Sequence, residues 1–307
     1  MHQNARLQSE TQQRLADSVL QNDLPQRYLD EAESYLLPIA EQLSNIRKNK
    51  QAIIVGIQGT QGSGKSTTAV FLKLLLQCEF DLSVAICSID DFYLSQLERQ
   101  ELAINVHPLL RTRGVPGTHH VDRIHYIFQQ FRDGQAFTLP QFDKARDNPK
   151  PISQQNTIDC GVDVLIFEGW CVGVPAQPAQ QLVTALNSLE RDEDTNGVWR
   201  RFVNQQLKDD YSQLFAQLDL LLVLQSPSFD CVYEWRHLQE QKLVERLQKE
   251  GKSTRMTLSD EQLKTFIQHY QRLSEHALTV LAERANFVLY LDESHRTIKL
   301  HTDLRGL

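Results

Sequence analysis

The glycine-rich stretch GTQGSGKST, residues 59–67, constrains the fold more than any other part of the chain. The apolar run AIIVGIQG leads into it, and the amphipathic segment STTAVFLKLLLQ follows directly. The stretch matches G-x-x-x-x-G-K-[ST], in which glycines let consecutive backbone N–H groups curl around phosphates at the start of a helix. A chance glycine-rich turn is the competing interpretation, but it does not explain the surrounding strand and helix patterns. The sequence therefore predicts a strand, a nucleotide phosphate-binding loop and a helix.

This loop supplies the candidate nucleotide-binding residues. Lys65 would reach the terminal phosphates, and Ser66 would offer its hydroxyl to Mg²⁺. The residues predicted to bind the nucleotide, taken to be ATP, are Gly59, Thr60, Gln61, Gly62, Ser63, Gly64, Lys65, Ser66 and Thr67.

Four more apolar runs follow the first along the chain: SVAICSID, VDVLIFEG, LDLLLVLQS and NFVLYLD. Continuous Ile, Val and Leu runs of this length are typical of strands that are buried on both faces of a sheet. Residues 1–50 are Gln-rich and have apolar residues at helical spacing. We therefore predict an α/β fold with a five-stranded parallel sheet between helices over 51–307, and a helical N-terminal extension over 1–50.

Composition narrows the class of protein. The chain has 307 residues and a net charge of −7, which argues against nucleic acid or an anionic membrane as a partner. No apolar run resembles a signal peptide or approaches the length of a membrane span. The five cysteines are widely spaced and form no C-x-x-C pair, so neither a disulfide framework nor a zinc site is indicated. These features predict a reduced, cytoplasmic protein.

Three acids stand at the predicted ends of strands. VAICSIDDFYLS delivers Asp90 and Asp91 after one apolar run, and VDVLIFEGW ends in Glu168. Aspartate also stops strands simply because it turns well. Ligands of a parallel α/β sheet, however, lie beyond the carboxyl ends of its strands, so these acids are predicted to face the γ-phosphate. Ser66 with Glu168 or Asp90 would satisfy Mg²⁺, which prefers one or two carboxylates plus phosphate oxygens and water.

Three classes of protein share such a loop. A GTPase needs N-K-x-D, which is absent, and the D-x-x-G matches begin at Asp194 and Asp303, far from the metal-binding strand. A motor or transport ATPase normally ends that strand in Asp followed by a catalytic Glu, whereas this strand ends in LIFEGW. A small-molecule kinase needs a proton acceptor beside the acceptor hydroxyl, which Asp90 could be. The predicted catalytic residues are Lys65, Asp90 and Glu168.

The segment from Asn105 to Lys150 reverses the charge balance of the chain. It carries five Arg and two Lys against four Asp and no Glu. A carboxylate or phosphate on the acceptor would need such cations, since a guanidinium can bind an oxyanion through two hydrogen bonds. The alternative is that these cations screen the ATP phosphates or form surface pairs with Asp122, Asp143 and Asp147. By sequence, the best-placed residues are Arg111, Arg113, His119 and Lys144.

A helical stripe in the segment SPSFDCVYEWRHLQEQKLVERLQKEGK has two interpretations. It carries Trp235, Gln239, Lys242 and Arg246. These residues could form a lid whose cations contact phosphates, or they could be a solvated helix face.

Taken together, the motifs GTQGSGKST, SIDDFY, RGVPGTHH, LPQFDK, FEGWCVG and EWRHLQEQKL resemble those of the phosphoribulokinase, uridine kinase and pantothenate kinase group. Within this group the chain is similar to the glycerate 3-kinase type over about residues 50 to 290. The resemblance implies that Asp90 is the catalytic base and Glu168 a Mg²⁺-associated acid. It also implies that 113–119 faces the acceptor. The candidate acceptor-binding residues are Asp91, Tyr93, Arg111, Arg113, His119, Asp143 and Lys144.

The chain departs from the pattern of this type in two places. His120 stands where the family usually has Asp, and ARDNPKP replaces a Gly-Arg-rich stretch of the plant enzyme. The predicted function is transfer of the γ-phosphate of ATP to a hydroxyl of a small, anionic metabolite, with D-glycerate favoured and 3-phosphoglycerate as product. The alternatives are a nucleoside, pantothenate or a sugar phosphate as acceptor, or an ATPase or switch without an acceptor.

Overall fold

The computed structural model describes residues 7–249 and 259–305. Its strands are β1 (Ile53–Gly59), β2 (Val84–Ser88), β3 (Phe137–Leu139), β4 (Phe142–Asp143), β5 (Asn148–Pro149), β6 (Asn156–Ile158), β7 (Val164–Gly169), β8 (Leu220–Gln225), β9 (Phe287–Leu291) and β10 (Thr297–Thr302). Its α-helices are α1 (Ser9–Gln21), α2 (Arg27–Glu31), α3 (Leu37–Lys48), α4 (Lys65–Phe80), α5 (Gln96–Asn105), α6 (Val121–Arg132), α7 (Ser188–Glu193), α8 (Val198–Lys208), α9 (Asp210–Phe215), α10 (Asp230–Lys249) and α11 (Asp260–Val280).

The central sheet contains the five predicted strands in the order β9-β8-β1-β7-β2, all parallel. A sixth strand, β10, pairs antiparallel with β9 at the edge of the sheet, so the prediction of five strands was one short. Four of the six residues of β10, TIKLHT, are polar, and its side chains are exposed or half-buried, so it lacks the apolar run of a strand covered on both faces. The α/β fold with a central parallel sheet is confirmed.

Each face of the sheet packs against its own apolar core. Side chains alternate along β1, so that Ile54 faces one core while Ile53 and Val55 face the other. Helices α6, α8, α9 and α11 cover the first face. Helices α1, α3, α4 and α10 cover the second. Residues 9–48 are thus largely helical and contribute to the second core.

Two short antiparallel pairs lie beyond the central sheet, β3 with β6 and β4 with β5. The second pair forms a hairpin over 142–149, in which Phe142 pairs with Pro149. This hairpin carries the residues of the LPQFDK motif toward the end of β2.

At the amino edge of the sheet, where the parallel strands begin, two aspartates are held by cations and backbone. Asp219 Oδ2 accepts hydrogen bonds from Ile54 N at 2.8 Å and Arg132 Nη2 at 2.6 Å, and Oδ1 accepts from Lys50 at 3.0 Å. Asp163 accepts from Arg47 at 2.5 Å and from Ser83 N at 2.7 Å. Both carboxylates therefore tie neighbouring strand starts together.

In the described ranges, no helix combines the length and the apolar character needed to cross a bilayer.

Candidate active site

The phosphate-binding loop follows β1, and α4 begins at Lys65 directly after it. Gly62 and Gly64 have φ angles of 80° and 93°, a region that suits glycine. A Cβ at Gly62 would lie 2.9 Å from Trp235 Cβ, and one at Gly59 would lie 2.5 Å from Ser63 Oγ. The loop therefore needs glycine for its backbone shape at Gly64 and also for close packing at Gly59 and Gly62.

Several polar groups of this loop have few partners. Burial lowers the pKa of Lys65, although Glu168 and Asp90 act in the opposite direction. The Lys65 ammonium donates to Thr60 O at 3.0 Å. Within 7–249 and 259–305, Ser63 Oγ and Gln61 Oε1 are buried and have no hydrogen-bond partner. Buried polar groups are normally paired, so this loop is shaped for groups that the protein does not itself supply.

Ser66 and Glu168 come together at the end of β7. Ser66 Oγ donates to Glu168 Oε1 at 2.9 Å, and Glu168 is 6% exposed. A hydroxyl and a carboxylate side by side, at the mouth of a phosphate loop, are hard oxygen donors of the kind Mg²⁺ prefers. Over the described residues, no group of three or more His, Cys, Asp or Glu side chains could hold a metal ion. The donor set fits Mg²⁺ that completes its coordination with phosphate oxygens and water.

Asp90 lies in the turn after β2 and is held by two donors. Tyr93 OH donates to Oδ1 at 2.6 Å, and Lys144 Nζ donates to Oδ2 at 2.9 Å. Burial alone would raise the pKa of Asp90, but Lys144 and the Tyr93 hydrogen bond lower it to about 2. Asp90 is therefore an ionised carboxylate whose two oxygens are already engaged.

Asp91, its neighbour, has a different position. Its Oδ1 accepts a hydrogen bond from Phe142 N at 3.1 Å, and burial raises its pKa. Asp91 thus anchors the 142–149 hairpin to the end of β2.

The segment 113–119 is clamped by buried aromatic residues. Tyr270 OH donates to Arg113 O at 2.9 Å, and Trp170 Nε1 donates to Gly114 O at 3.1 Å. A Cβ at Gly114 would lie 2.3 Å from Tyr270 OH, so only glycine fits there. Trp170 is 3% exposed, which places it among the packing residues. The segment is fixed before any ligand arrives.

His119 ends this segment in a buried position. Its Nδ1 lies 2.6 Å from Tyr211 OH, and its ring lies 4.8 Å from that of Tyr93. Burial lowers its pKa to about 3, so the imidazole is neutral. In the part of the chain that the structure describes, His119 Nε2 is buried and has no hydrogen-bond partner.

Arg113 points toward the same region, but an acid holds it. It forms a short ion pair with Asp147, and its guanidinium lies 5.6 Å from the centre of the Phe142 ring. Asp147 also binds Arg99, which is 2% exposed. Sequence reasoning considered Asp147 only as a surface partner and missed Arg99 entirely.

Two other predicted residues, Arg111 and Asp143, have no hydrogen bond or ion pair with Asp90 among the described contacts. Arg111 is exposed, and among the described residues its side chain forms no ion pair or hydrogen bond. The Asp143 Oδ1 atom accepts from Ala145 N and Arg146 N, both at 3.0 Å, which makes it a turn-forming residue.

The residues of the predicted lid stripe on α10 differ in their surroundings. Trp235 is buried, and its Nε1 donates to Glu293 O at 2.9 Å, so it packs against the protein. Arg236 donates to Gln239 Oε1 at 2.8 Å and pairs with Glu240 at 3.4 Å. The side chains of Lys242 and Arg246 lie outside the described residues.

A small pocket of about 30 Å³, partly open to solvent, adjoins the phosphate-binding loop on the side of the N-terminal helices. Its lining includes Gly64 and Thr67 from the loop and α4, and Tyr28, Tyr35 and His295 from outside them.

The chain is similar to several kinases and kinase structures. A kinase of Schizosaccharomyces pombe described as uncharacterized, mug58, is 31% identical over 263 residues, which span 81% of this chain and 91% of that protein. A pantothenate kinase of Lactococcus lactis is 27% identical over 173 residues, 50% of this chain and 54% of that enzyme. A D-glycerate 3-kinase structure from Cryptococcus neoformans has a TM-score of 0.71 at 21% identity and covers 87% of this chain and 97% of its own. No model of a protein family matches the chain.

These matches confirm the resemblance that the motifs indicated. The relative from S. pombe matches along most of both chains, whereas the solved structure shows the fold. The chain is a P-loop small-molecule kinase that uses ATP, and it belongs to the family of mug58.

Proposed function

We propose that this kinase transfers the γ-phosphate of ATP to the terminal hydroxyl of D-glycerate. One observation carries the proposal: Asp90, an ionised carboxylate, lies at the carboxyl edge of the sheet near the half-buried Lys65, with Lys144 bound to it at 2.9 Å. A proton acceptor between a phosphate-binding lysine and a mobile cation suits an acceptor that carries both a hydroxyl and a negative charge.

At the phosphate end, Lys65 would bind the oxygens of the transferred group. Negative charge is spread over these oxygens in the transition state, so the Lys65 ammonium would stabilise that state more than the ground state. Ser66 and Glu168 would hold Mg²⁺, which when bound neutralises charge on the phosphates. The N–H groups of the loop and the start of α4 would fix the remaining phosphate oxygens.

At the acceptor end, the Asp90–Lys144 pair suggests how the base becomes available. Lys144 is exposed over 59% of its side chain and can move, whereas Asp90 is anchored by Tyr93. A carboxylate on the acceptor would offer Lys144 a second partner. The Oδ2 atom that Lys144 leaves would then be free to accept the proton of the attacking hydroxyl.

D-Glycerate is favoured because a D-glycerate 3-kinase has the same fold and because Lys144 and Arg113 lie on the acceptor side. Pantothenate is the second candidate, since a pantothenate kinase is among the relatives, although the match spans about half of that enzyme. Both compounds combine a hydroxyl with a carboxylate.

The test is an acceptor panel with purified protein, ATP and Mg²⁺. D-Glycerate, pantothenate, uridine and glycerol would be compared by kcat/KM, with ATP consumption without acceptor as the background. We expect D-glycerate to have the highest kcat/KM and ADP release to depend on acceptor. A preference for uridine or glycerol over both carboxylates would contradict the proposal.

A further inference from the structure

A buried arginine joins three segments that border the acceptor side. The guanidinium of Arg99, on α5, donates to Leu94 O at 3.1 Å, Arg111 O at 2.8 Å and Asp147 Oδ2 at 2.7 Å. It also donates to Asp147 O at 3.1 Å. Leu94 follows the Asp90 turn, Arg111 precedes the 113–119 segment, and Asp147 belongs to the hairpin. Arg99 therefore fixes these segments relative to one another.

Asp147 links the buried Arg99 to a second arginine, Arg113. Its Oδ2 accepts from Arg99, and its Oδ1 accepts from Arg113. Asp147 has a left-handed backbone with a φ of 55°, and its side chain is 26% exposed, so the carboxylate is half-buried. Both arginines and their hydrogen bonds lower its pKa against the effect of burial, so the carboxylate is ionised. One carboxylate thus uses one oxygen for anchoring and presents the other to Arg113.

The position of Arg113 connects Asp147 to the reacting groups. The Arg113 guanidinium lies over the Phe142 ring, and the Phe142 ring meets that of Tyr93 edge to face at 5.3 Å. Tyr93 donates to Asp90 at 2.6 Å. Burial raises the pKa of the Tyr93 and Tyr270 hydroxyls, and the positive charge of Arg113 acts in the opposite direction. An unbroken chain of contacts therefore runs from Arg113 to the candidate base.

We propose that Asp147, anchored by Arg99, is a positioning residue that sets the guanidinium of Arg113 to bind the acceptor's carboxylate. The pair with Asp147 uses Nη1 of Arg113. A guanidinium has five N–H donors, so further donors remain for an acceptor carboxylate. With the planar group already oriented, less side-chain freedom is lost when the acceptor binds.

This role rests on the proposed function and differs from a purely structural one. A structural ion pair would affect folding stability and both substrates alike. A positioning role predicts a change confined to the acceptor, and one that depends on the presence of Arg113.

The test compares wild type, Asp147→Asn, Arg113→Ala and the double variant, with KM measured separately for D-glycerate and for ATP. We expect Asp147→Asn to raise the KM for D-glycerate about tenfold and to leave the KM for ATP unchanged. The double variant should match Arg113→Ala alone, because without the guanidinium there is nothing left to position. Asp147→Glu keeps the charge but shifts the carboxylate, and should give a smaller rise in the same KM.

Asp163→Asn is the matched control. Asp163 also binds one arginine and one backbone N–H, and it is 22% exposed, but it lies at the amino edge of the sheet. Its substitution should leave both KM values unchanged. Additive effects in the double variant, or equal rises of both KM values in Asp147→Asn, would overturn the positioning role. If the wild type accepts only neutral compounds, the proposed function fails first and this role fails with it.

Discussion

At the amino edge of the sheet, both carboxylate oxygens of Asp163 and of Asp219 accept hydrogen bonds from cations or strand N–H groups. At the carboxyl edge, the loop around Lys65 leaves Ser63 Oγ and Gln61 Oε1 buried without partners among the described residues. The two edges belong to the same strands. They differ because the phosphate-binding loop at the carboxyl edge keeps buried polar atoms unpaired.

A buried polar group without a hydrogen-bond partner lowers the stability of the folded protein, and a hydrogen bond offsets that penalty. The hydrogen bonds at the amino edge therefore increase the free energy of unfolding. At the carboxyl edge, polar atoms remain available to bind the phosphates and the acceptor. Substitutions at the two edges should separate activity from stability.

The largest effect is expected for Lys65→Ala. Loss of this ammonium should lower kcat by about a thousandfold, because it acts on charge that develops in the transition state. The free energy of unfolding should stay unchanged or rise, since burial of the charge is itself unfavourable. Steady-state kinetics and urea denaturation measure the two quantities, and near-normal turnover in a folded variant would contradict the role of this loop.

Asp90→Asn comes next. The amide keeps the shape of the side chain but cannot accept a proton as a base, so kcat should fall about a hundredfold or more. Nucleotide affinity, measured by titration calorimetry with ADP, should be largely retained. Asp91→Asn is the control, because Asp91 binds Phe142 N and should affect kcat less. An inactive Asp91→Asn beside an active Asp90→Asn would reverse the two roles.

At the opposite edge, Asp219→Asn should show the converse pattern. Two cations and one strand N–H lose their carboxylate, which should cost about 2 kcal/mol of unfolding free energy. The kcat/KM for the acceptor should remain within about twofold of wild type, a change too small to indicate a lost substrate contact. Denaturation and kinetics on the same preparation would show it, and a selective loss of activity would mean that the two edges are not independent.

The smallest effect concerns pH and His119. Its pKa in the folded protein is about 3, against 6.5 for a free histidine, so between these values only the unfolded chain binds the proton. The contribution of His119 to stability is therefore complete above about pH 6.5 and is lost as the pH is lowered, by about 2 kcal/mol at pH 5. His119→Gln should remove this part of the pH dependence. Urea denaturation of both proteins at pH 5 and pH 7 would measure it, and an equal loss of unfolding free energy in both would show that the pKa of His119 is the same in the folded and unfolded chains.

The sequence was most informative where function depends on local order. The motif around Lys65, the five apolar runs and the acids that end two of them depend on neighbours in the chain, so pattern and spacing were sufficient. The parallel sheet was confirmed, and the carboxylates of Asp90 and Glu168 lie at its carboxyl edge as predicted.

The sequence did not predict contacts between residues that are far apart in the chain. Arg99 resembles any charged residue of an amphipathic helix, and its partners lie up to 48 residues away. Strand β10 forms because it pairs with the edge strand β9, and the mostly polar sequence of β10 does not indicate this pairing. Trp235 lies on a stripe that suggested a lid, yet it is buried against Glu293 O because α10 packs against the phosphate-binding loop.

Tyr270 has a consequence for the order of events in catalysis. Its hydroxyl donates to Arg113 O. Burial raises the pKa of this hydroxyl, and the side chain of Gln61 acts in the opposite direction. One phenol is therefore coupled to both the nucleotide loop and the acceptor segment. Any shift of Gln61 when ATP binds changes the energy of the acceptor segment. Thermodynamic linkage then requires the acceptor to change the affinity for ATP by the same factor, so the two substrates bind cooperatively to the extent that this single hydroxyl moves.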